Sequence, residues 1–126
     1  MSFEKQRLGM QGEEIAARHL EASGYRIIAR RYRTRLGEID LVATIGGLLV
    51  FFEVKLRRDT RLGTPGEAVH YPKQARIARA AGLFLIERGY LDLPCRFDVI
   101  AITWPGLRSE GGPHLEHIQD AFRPLG

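Results

Sequence analysis

The chain has 126 residues, with 19 Lys and Arg against 15 Asp and Glu for a formal charge of +4, 44% hydrophobic residues and one cysteine. This apolar content excludes a disordered chain, and a domain of this length buries about two thirds of its unfolded surface without a disulfide or structural metal. Cys95 alone makes neither an internal bridge nor a thiolate cluster, and the opening Met-Ser-Phe-Glu-Lys-Gln-Arg lacks the charged-then-apolar order of a signal peptide. The longest strongly apolar run, Leu48 to Phe52, is too short to span a bilayer. One domain over residues 1–126, core about 5–103, is expected, cytoplasmic and without a membrane partner; its positive charge favours polyanions.

Taken in chain order, Leu8, Ile15, Ala16 and Leu20 recur at helical spacing over residues 5–22, and Ser23-Gly24 supplies a stop. Residues 25–33 read as a strand running into arginines, and 34–37 as a turn. Glu38 to Ile45 and Leu48 to Lys55 are β-rich runs around Gly46-Gly47, a dipeptide suited to a tight hairpin. Thr64-Pro65-Gly66-Glu67 has the hydroxyl, proline and glutamate of a capped helical start, which accounts for Glu67. A longer helix is expected over 72–88, stopped by Gly89, then a strand over 95–103, a loop over 105–113 and a last strand over 114–118. The fold class that buries these faces is α/β, a sheet of four or five strands flanked by helices.

The hairpin carries acids where a buried strand normally carries apolar residues. With Gly46-Gly47 as the loop, Asp40 faces Glu53 and Glu38 faces Lys55; with Ile45-Gly46 as the loop, Asp40 and Glu53 become diagonal neighbours on one face. Opposed carboxylates repel, and a divalent cation between them relieves the repulsion; Mg2+ is usually held by one or two carboxylates together with waters and phosphate. Lys55, two residues after Glu53, falls beside them, placed to orient a water or to stabilise charge on a cleaved phosphate. A solvated salt-bridge ladder of the same residues is the alternative reading of this pattern.

Gly37-Glu38-Ile39-Asp40-Leu41, a spacer, and Phe52-Glu53-Val54-Lys55 resemble the Asp-spacer-Glu-x-Lys signature of the PD-(D/E)xK nuclease superfamily. More narrowly, Gly12-Glu13 with Ala16-Ala17, the GEID and VFFEVK strings, Glu67-Ala68-Val69 with Lys73-Gln74, and Arg96-Phe97-Asp98-Val99 resemble the small bacterial YraN family, over about Gly9 to Ile102. That family is similar to Holliday-junction resolvases. The resemblance implies a restriction-endonuclease-like mixed sheet of four to five strands, Mg2+ dependence (Mn2+ as substitute), a homodimer and a further acid on the first helix. On a helical wheel the apolar stripe centres roughly 95° from Glu13 and roughly 165° from Glu14, so Glu13, bordering the core, is assigned. The expected metal ligands are then Glu13, Asp40, Glu53 and the Val54 carbonyl, with Asp40, Glu53 and Lys55 catalytic. Gln74 resembles the helix glutamine of some superfamily branches and is carried as an accessory residue, an exposed helix position being the simpler account of it.

Arginines cluster on both sides of the hairpin, Arg30, Arg31, Arg33 and Arg35 before it and Arg57, Arg58 and Arg61 after it, and such side chains hold phosphate backbones independently of base sequence. Asp98 reads as a charge at a strand start, and His114-x-x-His117 lacks a third ligand. The function expected is metal-dependent hydrolysis of phosphodiester bonds in DNA, with branched or structured DNA in view. A non-catalytic nucleic-acid-binding protein that retains the fold is the alternative, and an RNA-directed nuclease shares the chemistry.

Overall fold

A computed structural model describes residues 3–57, 71–103 and 112–124. The helical start expected at 64–67, Arg58, Arg61 and most of the loop expected at 105–113 lie outside the described residues. Along the chain run helix α1 (Phe3–Ala22), strands β1 (Arg26–Arg33), β2 (Glu38–Ile45) and β3 (Leu48–Arg57), helix α2 (Tyr71–Arg88) and strands β4 (Cys95–Thr103) and β5 (His114–Ile118).

Local chemistry fixes the ends of these elements. Helix α1 closes where the Tyr25 N–H donates to the Leu20 carbonyl at 2.9 Å around Gly24, whose φ of 95° is open to glycine at little cost. Gly46 and Gly47 have φ of 53° and 83°, the pair of left-handed residues a two-residue hairpin turn requires. They pin Ile45 opposite Leu48, and the pairing continues to Leu41 opposite Phe52, the first of the two registers the sequence allowed.

The sheet is mixed, five strands in the order β1-β2-β3-β4-β5. The first three form an antiparallel meander, α2 carries the chain over to β4, which is parallel to β3, and β5 returns antiparallel to β4. Each face buries its own core, so Phe51 and Phe52 are both fully buried although they point to opposite sides. Ala16, Ala17 and Leu20 of α1 cover Leu41, Ala43, Val50 and Phe52. Ile77, Ala80, Ala81 and Phe84 of α2 cover Ile39, Val42, Leu49 and Phe51. The Phe84 ring stands edge-on to Tyr32 and Phe51, at 5.2 and 5.9 Å between centroids.

Strict alternation would place Ile39 and Leu41 on one face, yet Ile39 belongs to the α2 core and Leu41 to the α1 core. The strand shifts by one residue around Asp40. On β1, Arg30 pairs with Leu41 and Tyr32 with Ile39, so Arg31 falls opposite Asp40. Arg31 has a φ of 50°, a left-handed conformation uncommon for a residue with a side chain. The sheet is thus irregular in two neighbouring strands at the level where the acids gather.

Candidate active site

Three acids converge from three elements. The helical wheel separates Glu13 from Glu14 in α1, and the side chains follow it, Glu13 being 18% and Glu14 45% exposed. Asp40 lies at the shift in β2. Its Oδ2 accepts the Val54 N–H at 2.7 Å, just beyond the last β2–β3 pair. Glu53 of β3 is buried, at 6% exposure.

The electrostatics follow from this arrangement. Burial, then the Glu53 carboxylate, and more weakly Glu13, push the Asp40 carboxyl up to about 8, against the Val54 hydrogen bond, which lowers it. Burial and the adjoining Lys73 hold the Lys55 ammonium below the usual lysine range, while Glu53 and Asp40 oppose that shift. Lys55 is therefore in the same electrostatic environment as the two strand acids.

Two cations occupy the outer acids. Lys73 Nζ, from the first turn of α2, pairs with Glu53 Oε1, and Arg31 Nε, from β1, donates to Glu13 Oε2. Among the described residues no group of three or more His, Cys, Asp or Glu side chains is arranged to hold a metal ion as it stands. The donor set nevertheless suits a hard cation. It consists of carboxylate oxygens at a place where two carboxyls already repel, and one or two such groups are the usual protein share of a Mg2+ site. Val54 meets this cluster through its N–H.

Among the expected phosphate-binding arginines, Arg30, Arg31 and Arg33 are paired with acids of the chain. Arg30 bonds Glu14 at 2.7 Å, Arg31 holds Glu13, and Arg33 lies 3.5 Å from Glu38. Glu38 thus faces back to β1 rather than across to Lys55. Arg35 is exposed in the turn after β1, and Arg57 ends β3 half-buried. Gln74 is half-buried beside Lys73 on α2.

A family model described as "Uncharacterised protein family UPF0102", the YraN family, matches residues 12–102. The chain belongs to the UPF0102 family. It is 55% identical over 116 residues to a UPF0102 protein of Symbiobacterium thermophilum, covering 92% of this chain and 96% of the relative. It is similar, at 50% over 115 residues, to one of Geobacter sulfurreducens (91% and 88% covered), and at 45% over 125 residues to one of Chlorobium phaeobacteroides (98% of each).

This UPF0102 chain has a second polar centre, where the sequence shows only a charge at a strand start and a histidine without further ligands. Asp98 is fully buried and accepts from Arg96 Nε and Nη2, each at 2.8 Å, and from the Asp120 N–H at 2.9 Å, with His117 Nε2 at 2.8 Å. Arg96 also donates to the Tyr25 hydroxyl at 2.8 Å. Asp98 is thus a knot joining β4, β5, the segment after β5 and the α1–β1 junction, and His117 serves that knot. The signal available was an acid inside an otherwise apolar strand. Lys73, which adjoins Gln74 in the same motif, carries no sequence signal for its pairing with Glu53.

Proposed function

We propose that this UPF0102 protein is a metal-dependent endonuclease that hydrolyses phosphodiester bonds in DNA, with branched or structured DNA as the substrate class. The observation that carries the reading is the convergence of Glu13, Asp40 and Glu53, with Lys55 alongside, where β2 leaves its regular path. Glu13, Asp40, Glu53 and the Val54 carbonyl would hold Mg2+ or Mn2+. Such an ion, when bound, polarises a phosphoryl oxygen and acidifies water. Lys55 contributes a proton-bearing ammonium partly withdrawn from solvent, where an interaction with the charge developing on phosphate is stronger than in water. Arg35 and Arg57 contribute phosphate contacts that fix the backbone without reading bases.

The cytoplasmic location and the homodimer expected from the resolvase resemblance belong to the same proposal, and sedimentation of the full chain checks the latter. Among the described residues no helix is long and apolar enough to cross a membrane. Nicking of a labelled four-way DNA junction in Mg2+ tests the chemistry, with Asp40→Asn and Lys55→Ala each expected to lose about a hundredfold or more in rate. Parent-like cleavage by both variants removes the assigned site. Salt-dependent junction binding with no cleavage and no carboxylate-dependent metal uptake would favour the non-catalytic alternative.

A further inference from the structure

The cation on Glu13 is not where its strand would place it by default. Consecutive strand residues point to opposite faces, yet Arg30 and Arg31 both reach α1, on Glu14 and Glu13. Arg31 does so through its left-handed backbone, a conformation uncommon for a residue with a side chain. Lys73 reaches Glu53 from another element altogether.

In each pair the acid lies inside and the cation outside. Glu53 and Glu13 are 6% and 18% exposed, whereas Lys73 and Arg31 are 41% and 37% exposed. A carboxylate as buried as Glu53 requires a counter-charge. A half-exposed cation is free to take a stronger anionic partner arriving from solvent, and phosphate is such a partner for both residue types.

We propose that Lys73 and Arg31 are exchangeable counter-ions of the acidic site, holding Glu53 and Glu13 in the metal-free protein and passing to backbone phosphates of bound nucleic acid, which frees both carboxylates for a divalent cation. This rests on the reading of the acids as a metal site. Lys73 and Arg31 are then positioning residues whose effect is a coupling. Nucleic acid strengthens metal binding, and by linkage the metal strengthens nucleic-acid binding by the same factor. Permanent structural ion pairs would produce no such coupling.

Mn2+ binding to the full-length chain, followed by electron paramagnetic resonance, reads the first half without turnover. Lys73→Met is expected to bind Mn2+ about tenfold more tightly than the parent, Arg31→Met to move the same way, Lys73→Arg to match the parent, and Glu53→Gln to lose the site. The second half is read by fluorescence anisotropy of a labelled four-way junction with and without Ca2+. Ca2+ tightens binding to the parent about tenfold and to either Met variant much less. Glu13 is less buried than Glu53, so Arg31→Met carries the test if Lys73→Met fails to fold by circular dichroism.

Folded Met variants with parent-like or weaker Mn2+ affinity overturn the counter-ion exchange, as does a parent whose junction affinity ignores Ca2+. If Mn2+ binds the parent and Glu53→Gln abolishes it, the metal reading survives that failure. A parent that takes up no Mn2+ with or without the junction overturns both.

Discussion

At Asp40, burial and two neighbouring carboxylates move the carboxyl from an ordinary 3.8 to about 8. Between those values the folded chain keeps a proton that the unfolded chain has released, so stability falls as pH rises from about 4 through about 8. Asp40→Asn retains an oxygen for the Val54 N–H and removes the charge. In metal-free buffer the variant should melt roughly 4 °C or more above the parent at pH 9, the difference closing towards pH 4. Parallel melting curves for the two proteins across that range would place the pH dependence elsewhere. Asp98 behaves in the opposite sense. Burial raises its carboxyl, but the bonds from His117, Arg96 and the Asp120 N–H outweigh burial and hold it below the usual range. Its contribution is present above about pH 4 and is lost as pH falls through the depressed value. Asp98→Asn leaves Arg96 without its buried counter-charge and should cost about 3 kcal/mol, read as a lower urea midpoint with an unchanged slope.

Between elements, α2 approaches the hairpin most tightly through its backbone at Gly37, beside the apolar packing of Ile77 and Phe84. A Cβ there would lie 2.4 Å from the carbonyl oxygen of Arg76 and 2.8 Å from its carbon, both backbone atoms of α2 that no side-chain rotation can move. Lys73 lies three residues before Arg76 on that helix, so this approach also brings Lys73 over Glu53. Gly37→Ala should therefore cost about 1–3 kcal/mol and speed hydrogen exchange in α2 while leaving α1 protected. Equal loosening of both helices would refute a local role. This level also marks how far the sequence could be read. The hairpin register was legible because Gly46-Gly47 admits few turns, but it runs only as far as Leu41 opposite Phe52; Asp40 lies beyond, where the strand shifts, and meets β3 through the Val54 N–H. Glu13 was legible because helical spacing separates two adjacent glutamates. The position of Lys73 was not, since a crossover helix is placed over the sheet by contacts such as Gly37–Arg76 that leave no periodic trace. The Asp98 knot was hidden for the same reason. Its partners come from β4, β5, the segment beyond β5 and the α1–β1 junction, and each looks ordinary in its own segment.

Over the whole molecule, the charge available to a polyanion differs from the charge counted in the sequence. Arg30 and Arg18 share Glu14, and Arg30 also lies 3.8 Å from Glu21, on a surface where α1 runs beside β1. Exposed pairs of this kind are screened by solvent and salt, so they shape the surface potential more than they hold the fold. An arginine neutralised by its own carboxylate releases few counterions when it meets a phosphate, because the carboxylate must then be left uncompensated in the complex. Glu14→Gln removes that competitor without touching Glu13 or the strand acids. If this face contacts DNA, the variant should bind a four-way junction about threefold more tightly at low salt. The dependence of log Kd on log salt should also steepen by about one unit, as expected for one additional phosphate contact. An unchanged slope and affinity would mean that DNA approaches from another side, leaving Arg35 and Arg57 to hold the backbone. Because both proteins carry the same acids at the candidate centre, any change in the slope reports where DNA lies and is independent of whether it is cut.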